Sequence, residues 1–173
     1  MGSQKTNILI TGAPGVGKTT LIKKLLTRLE HLKAIGFYTQ EIREDRIRKG
    51  FELVDLNGQK SVLSHVRIKS PYRVGKYGMD VVGFDEFLES SDLLDSHTDL
   101  VVIDEIGKME CYSERFVSLM RKLLDSDTLV IATIARKGGG LIAEIKERAD
   151  IRLFELSLEN RGRLVHEILS EIF

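Results

Sequence analysis

Gly12-Ala13-Pro14-Gly15-Val16-Gly17-Lys18-Thr19-Thr20 (GAPGVGKTT) follows directly on the apolar run Asn7-Ile8-Leu9-Ile10. Its first eight residues fit the pattern G-x-x-x-x-G-K-[ST] in full. Glycines in that pattern let backbone N–H groups turn inward onto phosphate oxygens, and the following helix points its positive N-terminus at the same place. The pattern needs a strand before it and a helix after it. Asn7–Thr11 reads as a short buried strand, and Lys18–Leu32 places Leu21, Ile22, Leu25, Leu26 and Leu29 at helical spacing. In such a loop Lys18 reaches the β and γ phosphates, and the Thr19 hydroxyl ligates Mg²⁺. Thr20, one step into the helix, reaches the α phosphate through its backbone.

A second motif has the complementary chemistry. Leu100-Val101-Val102-Ile103-Asp104-Glu105 is an apolar run closed by two acids. Asp104, at the end of a buried strand, suits the Walker-B role of holding Mg²⁺ directly or through its waters. Glu105 then extends toward the γ phosphate, where it can orient and deprotonate a water. Alone, the pair would equally fit a strand end capped by solvated acids. The full phosphate loop decides between the two. Thr133 ends the next apolar strand, Leu129–Ile134, where a hydroxyl serves a lytic water, the γ phosphate, the core or a helix cap.

Outward from these motifs, strands alternate with helices. Ala34–Ile42 reads as a strand, Gly50–Leu56 and Gln59–Leu63 as a hairpin around Asn57-Gly58, and Ser64–Val82 as a loop with short extended pieces. Helices are expected at Phe84–Leu94, Ser113–Leu124, Leu141–Ala149 and Leu158–Ile172, with a final strand at Ile151–Leu156. Asp85 and Glu86 fall in the first turn of the helix that starts at Phe84. The alternation predicts an α/β domain around a mostly parallel sheet flanked by helices, with an antiparallel β insertion. Ligands of such sheets bind beyond the carboxyl ends of the strands.

Composition narrows the setting. With 173 residues the chain suits a single domain, residues 1–173, able to bury roughly 70% of its unfolded surface. Lys plus Arg and Asp plus Glu are 26 each, so net charge argues neither for nucleic acid nor for an anionic membrane. Cys111 is the only cysteine, which excludes an internal disulfide and suits a reducing cytoplasm. No apolar run approaches the ~20 residues of a membrane span. Met1–Thr6 matches the loose myristoylation pattern, but it reads more simply as a polar lead-in. His31, His65, His97 and His166 show no ligand spacing.

Taken together, Gly12–Thr20, Gly36-Phe37-Tyr38-Thr39 with Glu41 and Arg43, Arg73-Val74-Gly75-Lys76-Tyr77, Val101–Glu110 and Glu159-Asn160-Arg161 form a wider pattern. It resembles the small P-loop nucleoside-triphosphatase family first described from thermophiles, whose human member is the cancer-related nucleoside triphosphatase. The run Asp104–Glu110 is the specific part. The resemblance implies a RecA-like P-loop fold with an added strand between those of the two motifs. It also implies Mg²⁺-dependent hydrolysis of ATP, GTP and other nucleoside triphosphates. By that likeness Gly12–Thr19 and Leu100–Gly107, including Ile106 and Gly107, are the nucleotide-contacting stretches.

Hydrolysis is helped by a cation beside the developing charge. Arg73, Lys76, Lys108, Arg136 and Arg161 are candidates, Arg73 through its place in the family motif and Lys108 by lying three residues after Glu105. Asn160 and Arg161 are candidates for base or ribose contact, unless Leu158-Glu159-Asn160 simply opens a helix. Arg43, Arg46, Arg48 and Lys49 form a basic cluster that reads first as a solvated hairpin turn, and otherwise as a lid over phosphates or an RNA-facing tip. Three function classes follow: a monomeric nucleoside triphosphatase, which is favoured; a nucleotide or small-molecule kinase; and a nucleotide-dependent binding module.

Overall fold

The computed structural model describes residues 5–173, so the myristoylation pattern lies largely outside the described residues. Nine strands form one sheet: β1 (Asn7–Gly12), β2 (Ala34–Glu44), β3 (Ile47–Asp55), β4 (Lys60–His65), β5 (Arg73–Val74), β6 (Tyr77–Met79), β7 (Leu100–Ile106), β8 (Leu129–Ile134) and β9 (Ile151–Leu156). The helices are α1 (Lys18–Arg28), α2 (Val81–Ser91), α3 (Glu114–Asp125), α4 (Leu141–Lys146) and α5 (Leu164–Ile172). Strand order is β5-β6-β4-β3-β2-β7-β8-β1-β9. From β2 to β9 every pair is parallel, and from β2 outward through β3, β4, β6 and β5 every pair is antiparallel. β8 lies between β1 and β7, the strands of the two motifs.

Alternation along the central strands builds two cores. Ile8, Ile10, Leu100, Val102 and Ile131 face one side, where Leu21, Ile22 and Leu25 of α1 and Leu164 and Ile168 of α5 cover them. Leu9, Val101, Ile103, Val130 and Ala132 face the other, under Phe84, Phe116, Met120 and Ile142 of α2, α3 and α4. The result is a three-layer α/β/α sandwich in which both motifs end at the same sheet edge.

Several boundaries differ from the sequence expectation. The last helix starts at Leu164, not Leu158. The Asn160 side chain accepts from Ser157 N (2.8 Å) and donates to Glu155 O (2.7 Å), which folds that segment into turns. α2 begins at Val81, capped by Asp80, whose Oδ1 accepts from Gly83 N at 2.9 Å. Asp85 therefore lies beyond the first turn and accepts instead from the Ser113 hydroxyl, which caps α3. The stretch Arg43–Lys49 is the expected hairpin turn, but the strands run further into it, to Glu44 and from Ile47. Asp45 and Arg46, both in the left-handed region (φ 49° and 67°), make a two-residue turn between β2 and β3. Within Ser64–Val82 the extended pieces are β5 and β6.

Candidate active site

The phosphate loop leaves β1 at Gly12 and enters α1 at Lys18. Gly15 (φ 74°) and Gly17 (φ 108°) hold left-handed backbone, which a side chain would strain although there is space for one. Lys18 Nζ donates to Gly12 O (3.1 Å) and Ala13 O (3.3 Å), folding over the loop it serves. Val16 and Ala13 pack beneath, against the α1 side of the sheet.

Asp104 leaves the end of β7 directly opposite. Its two carboxylate oxygens accept from Thr19 Oγ1 (2.5 Å) and Thr133 Oγ1 (2.6 Å). Thr133 thus takes a role that its position at a strand end left open: it orients Asp104. Asp104 is buried, and burial pushes its carboxyl upward, only partly offset by hydrogen bonds from Thr133 and Thr19 and by the Lys18 charge. A buried carboxylate and a hydroxyl in contact suit a hard divalent cation such as Mg²⁺. Among the described residues no group of three or more His, Cys, Asp or Glu side chains converges, so such an ion would draw its remaining ligands from phosphate and water.

Glu105 follows on β7 and is half-buried. Burial raises its carboxyl above the usual range, Lys18 opposes this, and Asp104 adds to it. A carboxylate poised nearer neutrality is a better proton acceptor. Together, Gly15, Gly17, Lys18, Thr19, Asp104 and Glu105 border a cleft of about 420 Å³ whose opposite wall is Thr39, Gln40, Glu41, Arg48 and Phe51 from the β2–β3 hairpin. A groove of about 460 Å³ between α2 and α3, lined by residues such as Leu88, Arg115 and Lys122, has no phosphate-binding element. The site assignment rests on the sheet edge and its chemistry, not on cavity size.

Other candidates distribute unevenly. Leu100, Val101, Val102 and Ile103 are fully buried core residues of β7 and do not line the cleft; neither does buried Ile106. Their apolar run places Asp104 without itself touching a ligand. Arg73 is not brought to the cradle: its guanidinium donates to Lys76 O (2.8 Å) of its own hairpin and to Ile68 O (3.4 Å) in the segment after β4. Lys108 is exposed and borders a separate cavity of about 260 Å³ on the far side of Glu105. Arg136 pairs with Glu155 at 3.5 Å. Arg161 borders another cavity of about 260 Å³ beside the loop, with Gly17, Thr20 and Lys24. Asn160 is occupied in its own turn.

Two further residues enter the site, one from the basic cluster Arg43–Lys49 and one from the motif run Asp104–Glu110. Arg48 lines the main cleft. Glu110, in a 3-10 turn after β7, is buried, and desolvation raises its carboxyl to about 8. Its Oε2 and Glu105 Oε1 both lie within 3 Å of the point where a β carbon on Gly107 would sit, so a side chain at 107 would push the two carboxylates aside. Its place in the motif run Asp104–Glu110 is the signal for it in the sequence, without a role attached.

Comparison with known proteins shows the family and the fold. The family model described as NTPase matches residues 7–169. The chain is 46% identical over 164 residues to the nucleoside-triphosphatase THEP1 of Thermotoga maritima, covering 94% of this chain and 93% of that protein. It is 37% identical over 180 residues to the human cancer-related nucleoside-triphosphatase, covering 95% of each. The crystal structure of THEP1 from Aquifex aeolicus superposes with a TM-score of 0.81 at 38% identity, over 96% of this chain and 98% of that one. With the family model matched over residues 7–169 and both relatives aligned over nearly the whole chain, the chain belongs to the NTPase family.

Proposed function

We propose that this chain is a Mg²⁺-dependent hydrolase of nucleoside 5′-triphosphates, ATP and GTP among them, yielding the diphosphate and phosphate. One observation carries the reading: Lys18, Thr19, Asp104 and Glu105 border a single cleft at the carboxyl edge of the sheet. The backbone N–H groups of Gly12–Thr19 and the start of α1 grip the phosphates. Lys18 exchanges the Gly12 and Ala13 carbonyls for phosphate oxygens. Thr19 and Asp104 hold the metal, and Thr133 keeps Asp104 aimed. The bound Mg²⁺ supplies charge neutralisation at the phosphate oxygens. Glu105 accepts a proton from water as the water oxygen bonds to the γ phosphorus and the bridging oxygen departs with the diphosphate. The chain works as one unit, and its single cysteine and balanced charge suit a cytoplasmic setting.

A second reading, phosphoryl transfer to a small acceptor, draws on the cavity beyond Glu105, bordered by Thr39, Phe51, Leu63 and Met109. Phosphate release from a panel of nucleotides, with Mg²⁺ and with chelator, separates the two. Hydrolysis predicts release without any acceptor and none in chelator. Lys18→Ala should nearly abolish turnover, because electrostatic stabilisation of the transferring group is typically worth several kcal/mol. Wild-type rates in that variant, or release only on adding an acceptor, would overturn the reading.

A further inference from the structure

Hydrolysis on this site leaves one requirement open, namely which cation besides Lys18 meets the charge that develops on the transferring phosphoryl group. Of the side chains bordering the cleft, only Lys18 and Arg48 are cationic. Arg48 reaches it through an irregularity of the β2–β3 hairpin. Ile42 pairs with Gly50 and Arg43 with Arg48, so Lys49 is an extra residue with no partner across the ladder. On a regular strand, residues three apart face opposite sides. The bulge removes one step of the alternation, and Arg48 comes to lie over the Phe51 ring, 5.2 Å from its centroid. The guanidinium is held there by two exchangeable contacts, to Tyr77 Oη (2.9 Å) and Glu41 Oε1 (3.0 Å). Glu41 itself borders the cleft, and its carboxyl is held below the usual range chiefly by the Arg48 hydrogen bond. Arg48 is 45% exposed, so it is free to turn.

We propose that Arg48 is a catalytic arginine acting within its own chain: on triphosphate binding its guanidinium leaves Glu41 for the γ-phosphoryl oxygens and stabilises their charge during transfer. This rests on the hydrolase reading above. A planar fork matches a phosphoryl group as a lysine cannot, and arginines supplied in this way to P-loop enzymes are worth about 10³–10⁵ in rate. Phe51 and Tyr77 form an aromatic shelf that pre-orders the fork, and Glu41 parks it while the site waits.

The test compares Arg48→Ala and Arg48→Gln with Glu105→Gln and with Arg46→Asn, which removes the neighbouring charge at the turn. Single-turnover hydrolysis should fall about 10³-fold or more in both Arg48 variants, while Mg-ATP affinity stays within about fivefold. ADP with aluminium fluoride, a mimic of the transferring group, should no longer be trapped by them, although ADP alone still binds. Arg46→Asn should keep the wild-type rate. If Arg48→Ala does not fold, Arg48→Gln, which retains a donor for Glu41, decides. Hydrolysis within threefold of wild type in a folded Arg48 variant, beside an inactive Glu105→Gln, overturns the arginine and leaves the hydrolase reading standing. Normal hydrolysis in the Arg48 variants and in Glu105→Gln together overturns the arginine and the role of Glu105, whereas release only on adding an acceptor overturns the hydrolase reading itself.

Discussion

At the scale of single residues, the carboxylates around β7 divide their work by environment. Glu105 borders the cleft, and among the described residues no side chain hydrogen-bonds to it, which leaves its lone pairs for water. Glu105→Gln should therefore keep Mg-ATP binding within a few-fold and lower single-turnover hydrolysis by about 10²–10⁴. Asp104→Asn should instead shift the Mg²⁺ dependence, since Asp104 shares its oxygens with Thr19 and Thr133. A Glu105→Gln enzyme that loses binding but not rate at saturation would make Glu105 a positioning residue. Glu110 gives a different signal. Its folded-state carboxyl titrates near 8, whereas in the unfolded chain it lies near about 4.3. Between those values the folded state keeps the proton and the unfolded state releases it, so stability falls as pH rises through that window. Glu110→Gln cannot titrate. In metal-free buffer it should gain on wild type by about 1–3 kcal/mol between pH 5 and pH 8.5, read from urea unfolding at each pH. Parallel stability curves for the two proteins would remove the buried acid from the account.

At the scale of elements, the junction between the parallel sheet and its antiparallel extension is the sensitive place. β2 serves both, pairing with β7 on one edge and β3 on the other. Its Gly36 holds φ 137°, and a β carbon there would stand 1.9 Å from Val102 O of β7. Neither strand can yield, because both are paired on their other edges. Gly36→Ala should cost about 3 kcal/mol or more, seen as a lowered urea midpoint. It should also depress hydrolysis, since the same pairing sets the hairpin wall against Asp104 and Glu105. An unchanged midpoint would mean that β2 and β7 adjust more freely than their ladder suggests.

For the molecule as a whole, specificity follows from where the contacts are. On the proposed reading the grip falls on phosphates and metal, at the ends of β1 and β7. The flanking cavity for a base is bordered by Thr20, Lys24 and Arg161, with no carboxylate to read guanine. ATP and GTP should therefore be hydrolysed with kcat/KM values within about tenfold of each other, or ~1.4 kcal/mol in transition-state discrimination. A preference above a thousandfold would require a base pocket that these residues do not form.

What the amino-acid order determined by itself was everything carried by local spacing. The phosphate loop, the acids closing the β7 run, and the alternation of strand and helix are each written within a few consecutive residues, because backbone conformation and burial periodicity act over one or two turns. Helix starts were less legible, since Asp80 and Asn160 compete for backbone N–H groups that a hydrophobic pattern does not register. The tertiary structure alone decided which residues meet across the sheet. It withdrew Leu100–Ile103 and Arg73 from the cleft, turned Thr133 onto Asp104, and brought Glu110 beside Glu105. Most clearly, it placed Arg48 opposite the phosphate loop. That position depends on one unpaired residue in a ladder, and a one-residue slip reverses every side chain beyond it.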